Sequence, residues 1–208
     1  MELESPASKT KRIAWIDLAK CFAIFGVLVD HTKGILYSNP IITHASFFSV
    51  SLFILTMGIT TYGSLNQNKI PVMQYLWKRT KNIAGPYIIA TIINCTLINR
   101  RFVFQDIIVH LIHFDACLPY YYVILYLQLL WISPLVFKIL MWADKIWKQI
   151  IVFILIVILS ALTTNRTDII GIYGGGGKLF GGTFLIMLFV GMFISKHYSA
   201  LFNHSGGY

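Results

Sequence analysis

Apolar residues gather into six runs, at residues 13–31, 46–64, 83–99, 118–140, 147–163 and 178–195. Short stretches that hold many of the charges, prolines and glycines separate them. Each run is near the ~17–25 residues that a helix needs to cross the hydrocarbon layer. In lipid the backbone must pair its own N–H and C=O groups, so the runs are expected as helices. The pattern predicts an all-α fold, a multi-pass transmembrane helical bundle of about six spans. The third run is the least regular, since it opens on Gly85-Pro86 and contains Asn94 and Thr96. Between the third and fourth runs, FVFQDIIVHLIHF places Asp106, His110 and His113 at four- and three-residue steps among Phe and Ile. That spacing predicts an amphipathic helix lying along the membrane surface, and a metal site on those three residues is the weaker alternative. Residues 1–12 are expected as a cytoplasmic tail, 13–196 as the membrane domain and 197–208 as a short C-terminal tail, with no soluble second domain.

Composition agrees with the pattern. Of 208 residues 57% are hydrophobic and only 12% charged, where a soluble domain is nearer a quarter charged. The 17 Lys and Arg against 8 Asp and Glu would suggest nucleic acid in a soluble chain; here they point to membrane topology, and no nucleic-acid partner is expected. With the N-terminus inside, eleven of the 17 fall on inner segments and five on outer loops, so the bias favours a cytoplasmic N-terminus in the plasma membrane. Cys21, Cys95 and Cys117 are odd in number and have no metal-ligand spacing. The Gly174–Gly177 run lacks the Lys-Ser/Thr that completes a phosphate-binding loop.

Asp17, Lys20 and His31 stand inside the first run, IDLAKCFAIFGVLVDH, which ends on Asp30-His31. Such groups are costly in a membrane helix and usually mark a site. Lys20 and His31 are eleven positions apart, about three turns, so both share one helix face with Asp17 nearby. Asp17 and Lys20 are spaced to pair, and His31 falls near the outer end, where an imidazole can take and return a proton near neutral pH. The plainer alternative is a structural ion pair and an interfacial histidine. Asp30 points about 100 degrees away from His31 around the helix, so a carboxylate orienting His31 is expected from another segment.

These residues, with several downstream, resemble the acyltransferase type 3 family of integral membrane O-acyltransferases. That family opens with an Asp, then an Arg, ten further residues and a His; Lys20 stands here in place of the Arg, keeping the charge without the bidentate fork. FFSVSLFILTMGITTYGS resembles the family's Phe-rich second span, with Met57-Gly58 where it has Ser-Gly. WKRTKNIAGPYI resembles its basic run and Pro-Tyr, matching at Arg79, Pro86 and Tyr87. PYYYVILYLQLLWISPLV and FLIMLFVGMFIS resemble later spans.

The resemblance implies transfer of an acyl group, most often acetyl, from acetyl-CoA or another acyl-CoA on the cytoplasmic side to a hydroxyl of an envelope polysaccharide or glycolipid outside. Acyl-CoA is a substrate in this scheme, and no bound cofactor or metal is expected. His31 is the expected base or transient acyl carrier, grouped with Lys20 and Asp17. Lys20 with Lys78, Arg79 and Lys81 would meet the phosphates of the donor, although the plainer reading of Lys78 and Lys81 is as topology anchors. Tyr121 and Gln128, with Tyr120 and Tyr122, would line a sugar path or form an interfacial aromatic belt. The family usually has about ten spans, so a C-terminally truncated member is expected, with partner helices from another copy of the chain or another polypeptide. The alternatives are an inactive membrane remnant and a small proton- or ion-coupled transporter subunit.

Overall fold

A computed structural model describes residues 14–36, 38–46, 48–67, 70–98, 104–164 and 178–197. The expected tail at 1–12, the expected tail at 197–208 apart from His197, the Gly174–Gly177 run, and Arg100, Arg101 and Arg166 lie outside the described residues.

The protein is an all-α bundle, with eight α-helices and no β-strand among the described residues. They are α1 (Ala14–His31), α2 (Pro40–Ser46), α3 (Phe48–Asn66), α4 (Val72–Ile93), α5 (Phe104–His113), α6 (Tyr121–Trp142), α7 (Ile146–Thr164) and α8 (Phe184–His197). The long helices alternate in direction. One end of the bundle therefore carries His31 and the start of α6, and the other carries Lys196 and the end of α6.

α3, α6 and α7 are each long and apolar enough to cross a membrane. α1 is as long, at 18 residues, but carries Asp17, Lys20 and Asp30. α8 is shorter, at 14 residues. The third run differs most from its predicted bounds. α4 starts eleven positions before residue 83, straight after Pro71, and takes the basic run Lys78–Lys81 into its second and third turns. Gly85-Pro86 does not start the helix but lies within it. Proline inside a membrane helix is tolerated where neighbours satisfy the freed carbonyl. α4 then relaxes into a five-residue π turn, Asn94–Ile98, where Thr96 donates back to the Ile92 carbonyl at 2.7 Å.

α6 is the central post, and Leu125, Leu129, Leu130 and Leu140 on it are fully buried. Pro134 inside α6 lacks the N–H that would bond the Leu130 carbonyl four residues back. The buried Ser133 hydroxyl donates to that carbonyl instead, at 2.7 Å. α3 and α8 make the tightest crossing. A Cβ at Gly58 would collide with the Leu188 carbonyl, and one at Gly191 with the Leu55 carbonyl, so the two backbones touch there.

At the Lys196 end, polar groups close the bundle. Lys196 Nζ donates to the Leu140 and Ala143 carbonyls at 2.7 and 2.9 Å, capping the C-terminus of α6. Gln149, 2% exposed, donates to Ala143 and accepts from His197 Nε2 at 2.9 Å. Lys148, in the first turn of α7, pairs with Asp144 just before the helix at 2.7 Å, and its hydrogen bond holds the Asp144 carboxyl below the ordinary carboxylate range.

α5 forms as the spacing predicts and packs beside the His31 end of α4. The Tyr87 hydroxyl donates to the carbonyls of His110 and Leu111 at 3.3 and 3.0 Å. Phe104, Ile108 and Ile112 form an exposed apolar stripe, as a helix half-sunk in a membrane surface requires.

Candidate active site

α1 is attached to the bundle chiefly through α3, along a stripe set by residue size. Ile16, Ala23 and Gly26 are buried, and a Cβ at Gly26 would lie 2.9 Å from Ser49 Cβ. The opposite side, with Leu18, Phe22 and Phe25, is exposed and apolar. This docking leaves a cleft between the His31 end of α1 and the start of α6, floored by α3.

The cleft is a cavity of about 220 Å³. Asp30 and His31 line it from α1, Ser49 from α3 and Tyr121 from α6. Ile24, Val27, Leu28, Val50, Phe53 and Tyr122 supply apolar wall, and Pro119 lies just before α6. The Tyr122 ring packs on Phe53 at 5.8 Å and on Tyr126 at 6.0 Å between centroids, which fixes the floor. Asp30 accepts a long hydrogen bond, 3.4 Å, from Ser46, and its charge acts on the neighbouring Tyr121 hydroxyl.

Two of the expected site residues, His31 and Tyr121, thus meet in one cavity although 90 positions separate them in the chain. Asp30 joins them. The 100-degree divergence from His31 does not keep it out, because the cavity wraps around the last turn of α1. Ser49 and Phe53 were not legible as site residues, since each reads as one more member of an apolar run. Tyr120 faces elsewhere, edge-on to Tyr87 at 5.4 Å. Gln128, about two turns along α6 from Tyr121, is half-buried and does not line the cavity.

The residues nearer the other end separate by exposure. Asp17 is exposed and Lys20 half-buried, and the ion pair that their spacing allows is not made among the described residues. Lys20 lies on the side of α1 turned toward α3, within a turn of Ile16 and Ala23. In α4, Lys78 and Lys81 are exposed, whereas Arg79 turns inward. Its guanidinium sits 5.5 Å from the Tyr75 ring centroid, with Tyr126 nearby. Tyr75 in turn donates to Thr61 on α3 at 3.1 Å. A half-buried cation, one aromatic layer below the cavity through Tyr126 and Tyr122, is the kind of group that marks a site in a membrane helix. In α5, His110 pairs with Asp115 at 2.7 Å rather than gathering with Asp106 and His113.

The arrangement offers a proton acceptor, a carboxylate and a phenol beside an apolar hollow, with a cation deeper in the bundle. A family model described as an acyltransferase domain matches residues 13–204 of the chain. No curated protein and no solved structure matches it.

Proposed function

As a member of the acyltransferase type 3 family this chain is a membrane acyltransferase, and we propose that it moves an acyl group from acyl-CoA to a hydroxyl of an envelope polysaccharide or glycolipid, with His31 as the base. The observation that carries this reading is the cavity that His31 shares with Asp30, Ser49 and Tyr121. A sugar hydroxyl bound there lies against an imidazole that can take its proton as the oxygen attacks the thioester carbonyl. The new C–O bond forms, the C–S bond breaks, and the proton passes from His31 to the departing CoA thiolate. Tyr121 and Asp30 are suited to hold neighbouring sugar hydroxyls, one as donor and the other as acceptor.

The donor side belongs to Arg79, which presents a forked cation suited to phosphate. Lys78 and Lys81, exposed on the same helix, would draw the anionic donor toward the membrane and anchor topology. Lys20 lies about three turns from His31 along α1, and Asp17, exposed at the start of α1, has a peripheral part at most. In this scheme the Lys196 end faces the cytoplasm of a plasma-membrane protein, acetyl-CoA is the simplest donor, and CoA enters and leaves on that side.

Expression in cells lacking the chain tests the reading. Isotope from labelled acetyl-CoA should appear as alkali-labile ester on envelope glycan with the wild-type chain and stay at background with His31→Ala at equal membrane abundance. Equal labelling by both would contradict it.

A further inference from the structure

The hollow beside His31 is larger and more apolar than a two-carbon acyl group needs. We propose that its deeper part is an acyl-chain subsite, so that the donors include linear acyl-CoA thioesters of roughly six carbons. This inference rests on the acyl-transfer reading above and specifies the substrate class of that same site.

Reaction at His31 requires the acceptor oxygen and the thioester carbonyl carbon to approach within about 3–3.5 Å. The acyl chain therefore begins beside the imidazole and must point somewhere. The ionisable groups of the cavity, Asp30, His31 and Tyr121, belong to the end of α1 and the start of α6, and sugar hydroxyls need such partners. Away from them the wall consists of Val27, Leu28, Val50, Phe53 and the ring of Tyr122, with the half-exposed Ile24 at its edge two turns down α1 from His31. Two turns is about 10 Å of depth. Water finds too few partners along such a wall to be held well, whereas an alkyl chain gains from being buried there.

Volume sets the length. An apolar cavity of about 150 Å³ admits benzene, six carbons. At the same packing, 220 Å³ holds about eight or nine carbons, and the reacting hydroxyl with its carbon takes part of that room. The chemistry is unchanged by chain length: the hydroxyl oxygen bonds to the carbonyl carbon, CoA leaves with the sulfur, and the hydroxyl proton ends on the CoA thiol.

The test uses the full chain in proteoliposomes with an envelope glycan fraction as acceptor and labelled acetyl-, hexanoyl- and decanoyl-CoA as donors. Wild type should use hexanoyl-CoA with a kcat/KM at least about tenfold above that for acetyl-CoA and reject decanoyl-CoA, since a methylene that fits or clashes is worth about 10-fold or more. Val50→Phe, which fills the hollow, should lower the hexanoyl-to-acetyl ratio at least tenfold, and Phe53→Ala should let decanoyl-CoA react. Thermal unfolding of each variant in detergent establishes that it is folded. The inference is overturned if wild type transfers acetyl but not hexanoyl groups, or if the folded variants keep the wild-type chain-length profile. In either case the acyl-transfer reading survives. Absence of transfer from every donor overturns both.

Discussion

Asp30 and His31 sit side by side at the end of α1, and only one of them stood out in the sequence. A histidine in an apolar run is costly enough to notice, whereas Asp30 looks like the polar residue that ends any such run. Their joint placement in the cavity depends on α3 and α6, which α1's own periodicity does not contain. The three cations of α4 divide for a similar reason. Lys78, Arg79 and Lys81 are alike in sequence, but helical geometry turns Arg79 alone of them into the bundle, onto Tyr75 and Tyr126. Arg79→Gln should therefore raise the KM for acyl-CoA by about 10- to 100-fold, the range of a charge-assisted hydrogen bond. Arg79→Lys should recover only part of the loss, because the fork is gone. Lys78→Gln and Lys81→Gln should each change it less than about threefold, as exposed charges do. Equal effects at all three positions in steady-state kinetics would refute the distinction.

The helices themselves were largely legible, because a run of apolar residues at membrane length has few other structures available to it. The start of α4 was not. Lysine and arginine read as loop, but long side chains carry charge away from the helix axis, so the first turns of α4 hold a basic run without breaking. Helix packing is equally hidden. Gly58 and Gly191 belong to separate motifs of the sequence, and the structure presses them against each other across α3 and α8. Any side chain there must push two backbones apart, so Gly58→Leu and Gly191→Leu should each destabilise the bundle by about 1–3 kcal/mol or more, read as a lower unfolding midpoint in detergent. Gly63→Ala on the same helix, where a Cβ meets nothing within 4 Å, should be neutral or slightly stabilising. Ser133→Ala strips the Leu130 carbonyl of the donor that Pro134 cannot provide, and a loss of about 1–3 kcal/mol is expected. Ser133→Thr, which keeps the hydroxyl, should retain most of that stability.

Across the whole molecule, the alternating helices put the His31 cavity at one end and the basic first turns of α4 at the other, with Arg79 between them. A sequence can state the order of such groups and the balance of charge on either side of a span. It does not state that α1 docks mainly on α3 and so leaves a hollow toward α6, which follows from Gly26 lying against Ser49. The account rests on that hollow being where an acyl group meets a hydroxyl. The most direct measurement is acyl transfer by the reconstituted chain, comparing wild type with His31→Ala and with Tyr120→Phe, whose ring lies against Tyr87 outside the cavity. Loss of the base should lower kcat by about 10²–10⁴-fold, while Tyr120→Phe stays within about twofold. Transfer by His31→Ala at the wild-type rate would contradict the account.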